Sequence, residues 1–108
     1  MLLGVLCLGH ATGQAPPTHE DGFVFAALSL TPEPWNKESN LQKLEKFARR
    51  AAAQGAQVIA APEGYLEGYV GNEHRTPGLT QAKYESEAAE ALDGPLLRRV
   101  RGLADELN

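Results

Sequence analysis

Cysteine is nearly missing from this 108-residue chain: the one present, Cys7, cannot form an internal disulfide, and no Cys and His spacing resembles a zinc site. A disulfide-stapled or metal-organised scaffold is excluded on that ground. Positive charge is also scarce, with 10 Lys and Arg against 14 Asp and Glu and a formal net charge of -4. Such a chain has no basic field to hold a phosphate backbone, so nucleic acid is not expected as a partner. No apolar run reaches the roughly 20 residues that a membrane-spanning helix needs. With 11 Gly and 7 Pro, the chain is too poor in both for a collagen-like or low-complexity segment. What remains is ordinary globular composition, 43% hydrophobic and 22% charged, enough for one domain at most.

Residues 1–8 are nearly all apolar, and small and polar residues follow up to Ala15. Residues 1–15 are similar to a secretory signal peptide, with Ala11-Thr12-Gly13 as a cleavage site, although no Lys or Arg precedes the apolar stretch. Residues 16–21, opening on Pro16-Pro17, read as a linker. The expected location is secreted or periplasmic, or cytoplasmic if the N-terminus is not a signal peptide. Leu6 occupies the place where a lipoprotein acylation site at Cys7 would require a small residue. His10, His19, Glu20 and Asp21 lie in a Pro-containing tail with no element to fix their geometry, so no metal is expected there.

Residues 23–30 (FVFAALSL) form a continuous apolar run between Asp21-Gly22 and Thr31-Pro32, which predicts a strand buried on both faces. Asn36 then caps a helix with Glu38 in its first turn and Leu41, Leu44, Ala48, Ala51 and Ala52 along one face. Lys43, Glu45, Lys46, Arg49 and Arg50 occupy the opposite face. The last two cations oppose the helix dipole, and Gly55 ends the helix. Residues 57–61 (QVIAA) predict a second strand, closed by Pro62. Two strands joined through a helix are normally parallel neighbours, so both carboxyl ends share one edge. Ligands in open α/β sheets bind outside that edge, and Glu63 emerges there. Residues 71–80 read as a loop and residues 82–92 as a short alanine-rich helix. Asp93 or Gly94 caps a last helix with Pro95 in its first turn and Leu96, Val100, Leu103 and Leu107 facing inward. Two strands do not make an independently stable parallel sheet, so the pattern reads as incomplete at Asn108.

Asn40-Leu41 in the helix, Gly55-Ala56 before the second strand, Pro62-Glu63 after it, Gly68-Tyr69, and Asp93-Gly94-Pro95 resemble, in their order and spacing, the nitrilase or carbon-nitrogen hydrolase superfamily. The resemblance covers residues 22–108, taken as the N-terminal part of such a domain. It implies an α/β fold of four αββα layers, incomplete in this chain. It also implies hydrolysis of amides, carbamoyl compounds or nitriles by a Glu, Lys and Cys triad without a cofactor. Glu63 matches the family's catalytic glutamate. Neither Cys7 nor Lys37, Lys43, Lys46 or Lys83 matches the other two members, so this chain alone is expected to be inactive.

A glutamate can act as the base that activates water against a thioester, but an unperturbed carboxylate, with a pKa of about 4.3, is a weak base. The apolar neighbours Val58, Ile59, Tyr65 and Leu66 predict partial burial of Glu63. Tyr65 and Tyr69 are expected to pack over the sheet edge more than to border a pocket. Glu67, His74 and Arg75 are expected on the surface, and Asn40 as a structural hydrogen-bonding residue near the helix start.

The leading expectation is the N-terminal fragment of an exported amidase, in preference to a nitrilase, acting on a small molecule and homo-oligomeric at full length. An acyltransferase or glutaminase of the same superfamily is the second reading. A small non-catalytic secreted interaction domain is the third.

Overall fold

The computed structural model describes residues 22–72 and 74–107. The expected signal peptide and linker, with Cys7, His10, His19, Glu20 and Asp21, lie outside the described residues. The order of elements is β1 (Phe25–Ala27), α1 (Lys37–Ala53), β2 (Val58–Ala60), α2 (Gln81–Lys83) and α3 (Pro95–Leu107), with one π-helical turn at Tyr84–Ala88 directly after α2. The strands pair in parallel, Phe25 opposite Val58, Ala26 opposite Ile59 and Ala27 opposite Ala60. Backbone bonds from Gln57 N to Val24 O (2.9 Å) and from Leu28 N to Ala60 O (2.8 Å) close the ladder at its two ends.

The first strand differs from expectation in length and in burial. Its ladder stops where its one described neighbour turns into Ala61-Pro62, because proline has no N–H to continue the pairing. Val24, Ala26, Leu28 and Ile59 are half-buried on one face. On the other face Phe23, Phe25 and Val58 are 68%, 55% and 46% exposed, because the described residues cover the sheet from one side only.

The first helix forms where its sequence predicts it. The Asn36 side chain accepts from Ser39 N at 3.2 Å, satisfying one orphan amide of the first turn. Gly55, with φ +90°, supplies the left-handed residue beyond its last turn. Leu41 and Ala48 are buried, and Leu103 of α3 joins them in the core.

The polar face of α1 is used rather than merely solvated. Arg99 of α3 forks onto Glu45 (2.9 and 3.2 Å) and reaches Glu38 at 2.7 Å, and Arg49 pairs with Glu106. These hydrogen bonds from guanidinium groups hold the carboxyls of Glu38 and Glu106 below the usual carboxylate range. Lys37 bridges to Glu90 Oε2 at 3.1 Å, while Glu90 Oε1 accepts from Leu96 N at 3.3 Å, tying the starts of α1 and α3 together. The predicted helix over residues 82–92 is shorter than expected: α2 and the π-helical turn end at Ala88, and residues 89–92 are not helical. Among the described residues, no helix is long and apolar enough to cross a membrane.

Candidate functional site

Glu63 follows β2 directly, after Ala61-Pro62, at the carboxyl edge shared by both strands. The loop that carries it is a tight coil. Tyr69 N donates to Gly64 O at 2.7 Å and Gly68 N to Tyr65 O at 3.3 Å, so the chain returns on itself within six residues. Three residues of this coil sit in the left-handed region: Gly64 (φ +60°), Gly68 (φ +83°) and Tyr69 (φ +61°). A left-handed conformation at a bulky residue such as Tyr69 costs of order 1–3 kcal/mol and persists only where the surroundings enforce it.

Two features enforce it. A Cβ on Gly68 would lie 2.4 Å from Glu33 O and 2.5 Å from Pro34 Cα, so only glycine allows the coil to press against the segment following β1. Asn40, fully buried in α1, joins the same two segments: its Oδ1 accepts from Glu33 N at 2.7 Å, and its Nδ2 donates to Glu33 O at 2.8 Å and to Leu66 O at 2.9 Å. Trp35 N adds a bond to Glu67 O at 3.1 Å. Asn40 is thus the structural residue expected from the sequence, and with Gly68 it positions the loop bearing Glu63.

Glu63 itself is exposed, which corrects the expected partial burial. Its neighbour Tyr65 turns into the interior at 3% exposure and does not cover it. Tyr65 Oη has no hydrogen-bond partner among the described residues. Burial, and secondarily the charge of Glu33, push its phenol pKa up, so this hydroxyl stays protonated.

Glu63 opens into a depression of about 330 Å³ lined by Glu67, Tyr69, Gly71, Asn72 and Tyr84. Glu67 was expected on the surface; it is half-buried, because the coil folds its carboxylate back over Gly64. A Cβ on Gly64 would sit 2.8 Å from both Glu67 Oε1 and Tyr69 Cδ2. Tyr69 therefore borders the cavity, whereas Tyr65, expected over the sheet edge, is buried. Tyr84, from the π-helical turn, lies against the bare backbone of Gly71, where a Cβ would be 3.2 Å from its ring.

Neither Glu67 nor Tyr84 was recognised as a cavity residue from sequence. The Gly64 and Gly68 bracket was the available signal for Glu67, and nothing local marks Tyr84. His74 and Arg75 are exposed and do not line this cavity. Among the described residues, no group of three or more His, Cys, Asp or Glu side chains is placed to hold a metal.

A parallel strand pair joined by a helix, with a glutamate at its carboxyl edge, defines an α/β protein with the polar group where such sheets bind ligands. The chain belongs to the carbon-nitrogen hydrolase family, whose sequence profile matches residues 24–108. It is similar to the bromoxynil-specific nitrilase of Klebsiella pneumoniae subsp. ozaenae, with 33% identity over 90 residues, which cover 80% of this chain and 26% of that protein. The chain thus spans about a quarter of the length of this relative. That relative's name gives no support to the expected preference for amidase over nitrilase. No solved structure matches the chain.

Proposed function

We propose that this chain is the part of a carbon-nitrogen hydrolase that supplies the general base, Glu63, and that the lysine and nucleophilic cysteine of the triad come from outside these 108 residues. The observation that carries the reading is the position of Glu63: the Pro62-Glu63 pair follows the second of two parallel strands in a chain of this family, and Glu63 lines an open cavity. The exposed sheet face of Phe23, Phe25 and Val58 supports the same reading, since a four-layer αββα sandwich would bury that face against a second sheet.

In this mechanism a thiolate attacks the carbon of an amide, carbamoyl group or nitrile, and nitrogen leaves as ammonia or an amine with a thioester remaining. For a nitrile, one water is added before nitrogen departs. Glu63 takes a proton from the water that then attacks the thioester, and the released thiol re-enters the cycle. An exposed carboxylate is a weak base, so enclosure of the carboxyl edge by the rest of the domain is required to strengthen it.

The reaction class is tested by incubating the full-length protein with amides, nitriles and carbamoyl compounds, quenching with acid and measuring intact mass. A covalent acyl adduct on a cysteine outside residues 1–108, with release of ammonia or amine, is expected. Turnover without any thiol-bound intermediate would contradict it.

A further inference from the structure

Among the described residues, Trp35 and Tyr69 are the non-glycine positions held in the left-handed region, and Trp35, at φ +62°, is 39% exposed. A glycine would adopt this conformation without strain, and a ring so open to solvent recovers little by burial. A strained backbone persists where its surroundings over-determine it, and such positions cluster at functional sites.

The contacts of Trp35 lead to the Glu63 cavity from two sides. Its backbone N–H donates to Glu67 O at 3.1 Å, within the coil that follows Glu63. Its ring lies under the Lys83 ammonium, 5.4 Å from nitrogen to centroid. Two residues on, Lys37 Nζ donates to Ala89 O at 3.0 Å. Lys83 and Ala89 flank the π-helical turn Tyr84–Ala88, so Trp35 and Lys37 grip that turn before and after it. Glu85, Ser86 and Glu87 are exposed, which leaves the turn little buried surface of its own to fix its place. The cavity is shared between the two gripped segments: Glu63, Glu67, Tyr69, Gly71 and Asn72 come from the chain after β2, and Tyr84 crosses to them from the turn.

We propose that Trp35 and Lys83 are positioning residues of the Glu63 site. The Trp35 backbone holds the coil, its ring holds the turn, and the pair sets the separation of Glu63 and Tyr84, between which the substrate lies. This rests on the reading of Glu63 as the base. The coil keeps its anchors at Asn40 and Gly68 when the ring contact is lost, so the turn is released while Glu63 stays in place. Substrate binding is then weakened and the chemical step is not.

The test uses steady-state kinetics of the full-length protein on whichever amide, nitrile or carbamoyl compound it turns over fastest. Lys83→Met keeps the length of the side chain and removes its charge. KM should rise about two- to fivefold, the equivalent of a cation–π contact at an exposed place, with kcat nearly unchanged. Lys83→Arg, which keeps the charge over the ring, should restore KM. Trp35→Leu, left-handed at the same cost but without a ring, should raise KM as Lys83→Met does, and the double variant should raise it no further. The denaturation midpoint of Lys83→Met should match the wild type, since an exposed lysine adds little to stability. An unchanged KM in Lys83→Met, a fall in kcat in its place, no rescue by Lys83→Arg, or rises that multiply in the double variant overturns the proposal. Glu63→Gln keeps the two claims apart. Turnover lost there with KM unchanged in Lys83→Met removes the positioning pair alone, whereas undiminished turnover in Glu63→Gln removes the base and the pair with it.

Discussion

Replacing Asn40 with alanine should release the loop that carries Glu63. The wild-type side chain makes three bonds of 2.7–2.9 Å to backbone groups of Glu33 and Leu66, on segments 7 and 26 residues away. A net hydrogen bond is worth about 1 kcal/mol, and a backbone group left without a partner in a buried place costs about 1–3 kcal/mol. Water can reach part of this site once the amide is gone, so the loss expected for Asn40→Ala is about 3 kcal/mol rather than the sum of three full penalties. Asn40→Asp should be worse at neutral pH despite its similar shape. It would place a carboxylate oxygen in place of Nδ2, facing the carbonyl oxygens of Glu33 and Leu66. Urea denaturation of the full-length protein gives the stability change, and amide hydrogen exchange locates it, with faster exchange expected at Gly68 and Tyr69. A loss under about 0.5 kcal/mol for Asn40→Ala, with unchanged exchange at those amides, would refute the assignment of Asn40 as the joint between the two loops.

Three further outcomes are expected. Gly68→Ala should cost at least about 2 kcal/mol in denaturation, since it combines a left-handed φ with a Cβ 2.4 Å from Glu33 O. Tyr65→Phe in the full-length protein should leave stability unchanged or raise it by about 1 kcal/mol, because the hydroxyl it removes is buried without a partner among the described residues; a clear loss would reveal a partner outside them. Acidification should loosen the packing of α1 on α3: Glu38 and Glu106 have carboxyls held below the ordinary 4.5, so their contribution is present above that value and lost as pH falls through their lowered values. Ellipticity and exchange measured from pH 6 to pH 2 should show that loss, diminished in Arg99→Gln.

What the sequence made legible was local. Asn36 as a cap, Gly55 as a left-handed stop and Pro62 as the end of a strand each depend on a few adjacent residues, and each is found where expected. The position of Glu63 on the sheet edge followed from topology, since a helix crossover makes the two strands parallel. Burial was less legible because it depends on what covers an element. Phe25 and Val58 belong to an apolar run yet lie on an uncovered face, and Glu63 is exposed for the same reason. The place of Glu67 in the coil depends on the two glycines and the left-handed Tyr69, of which the last has no sequence marker. The joint made by Asn40 spans 26 residues to Leu66, beyond the reach of periodicity.

The central claim, that Glu63 is the base of a carbon-nitrogen hydrolase, is tested most directly by steady-state kinetics of Glu63→Gln in the full-length protein. Glutamine keeps the shape and the loop but cannot accept the proton, so kcat/KM should fall by about 10²–10⁴-fold while the denaturation midpoint stays close to that of the wild type. Turnover within about threefold of the wild type, from a folded variant, would contradict the claim.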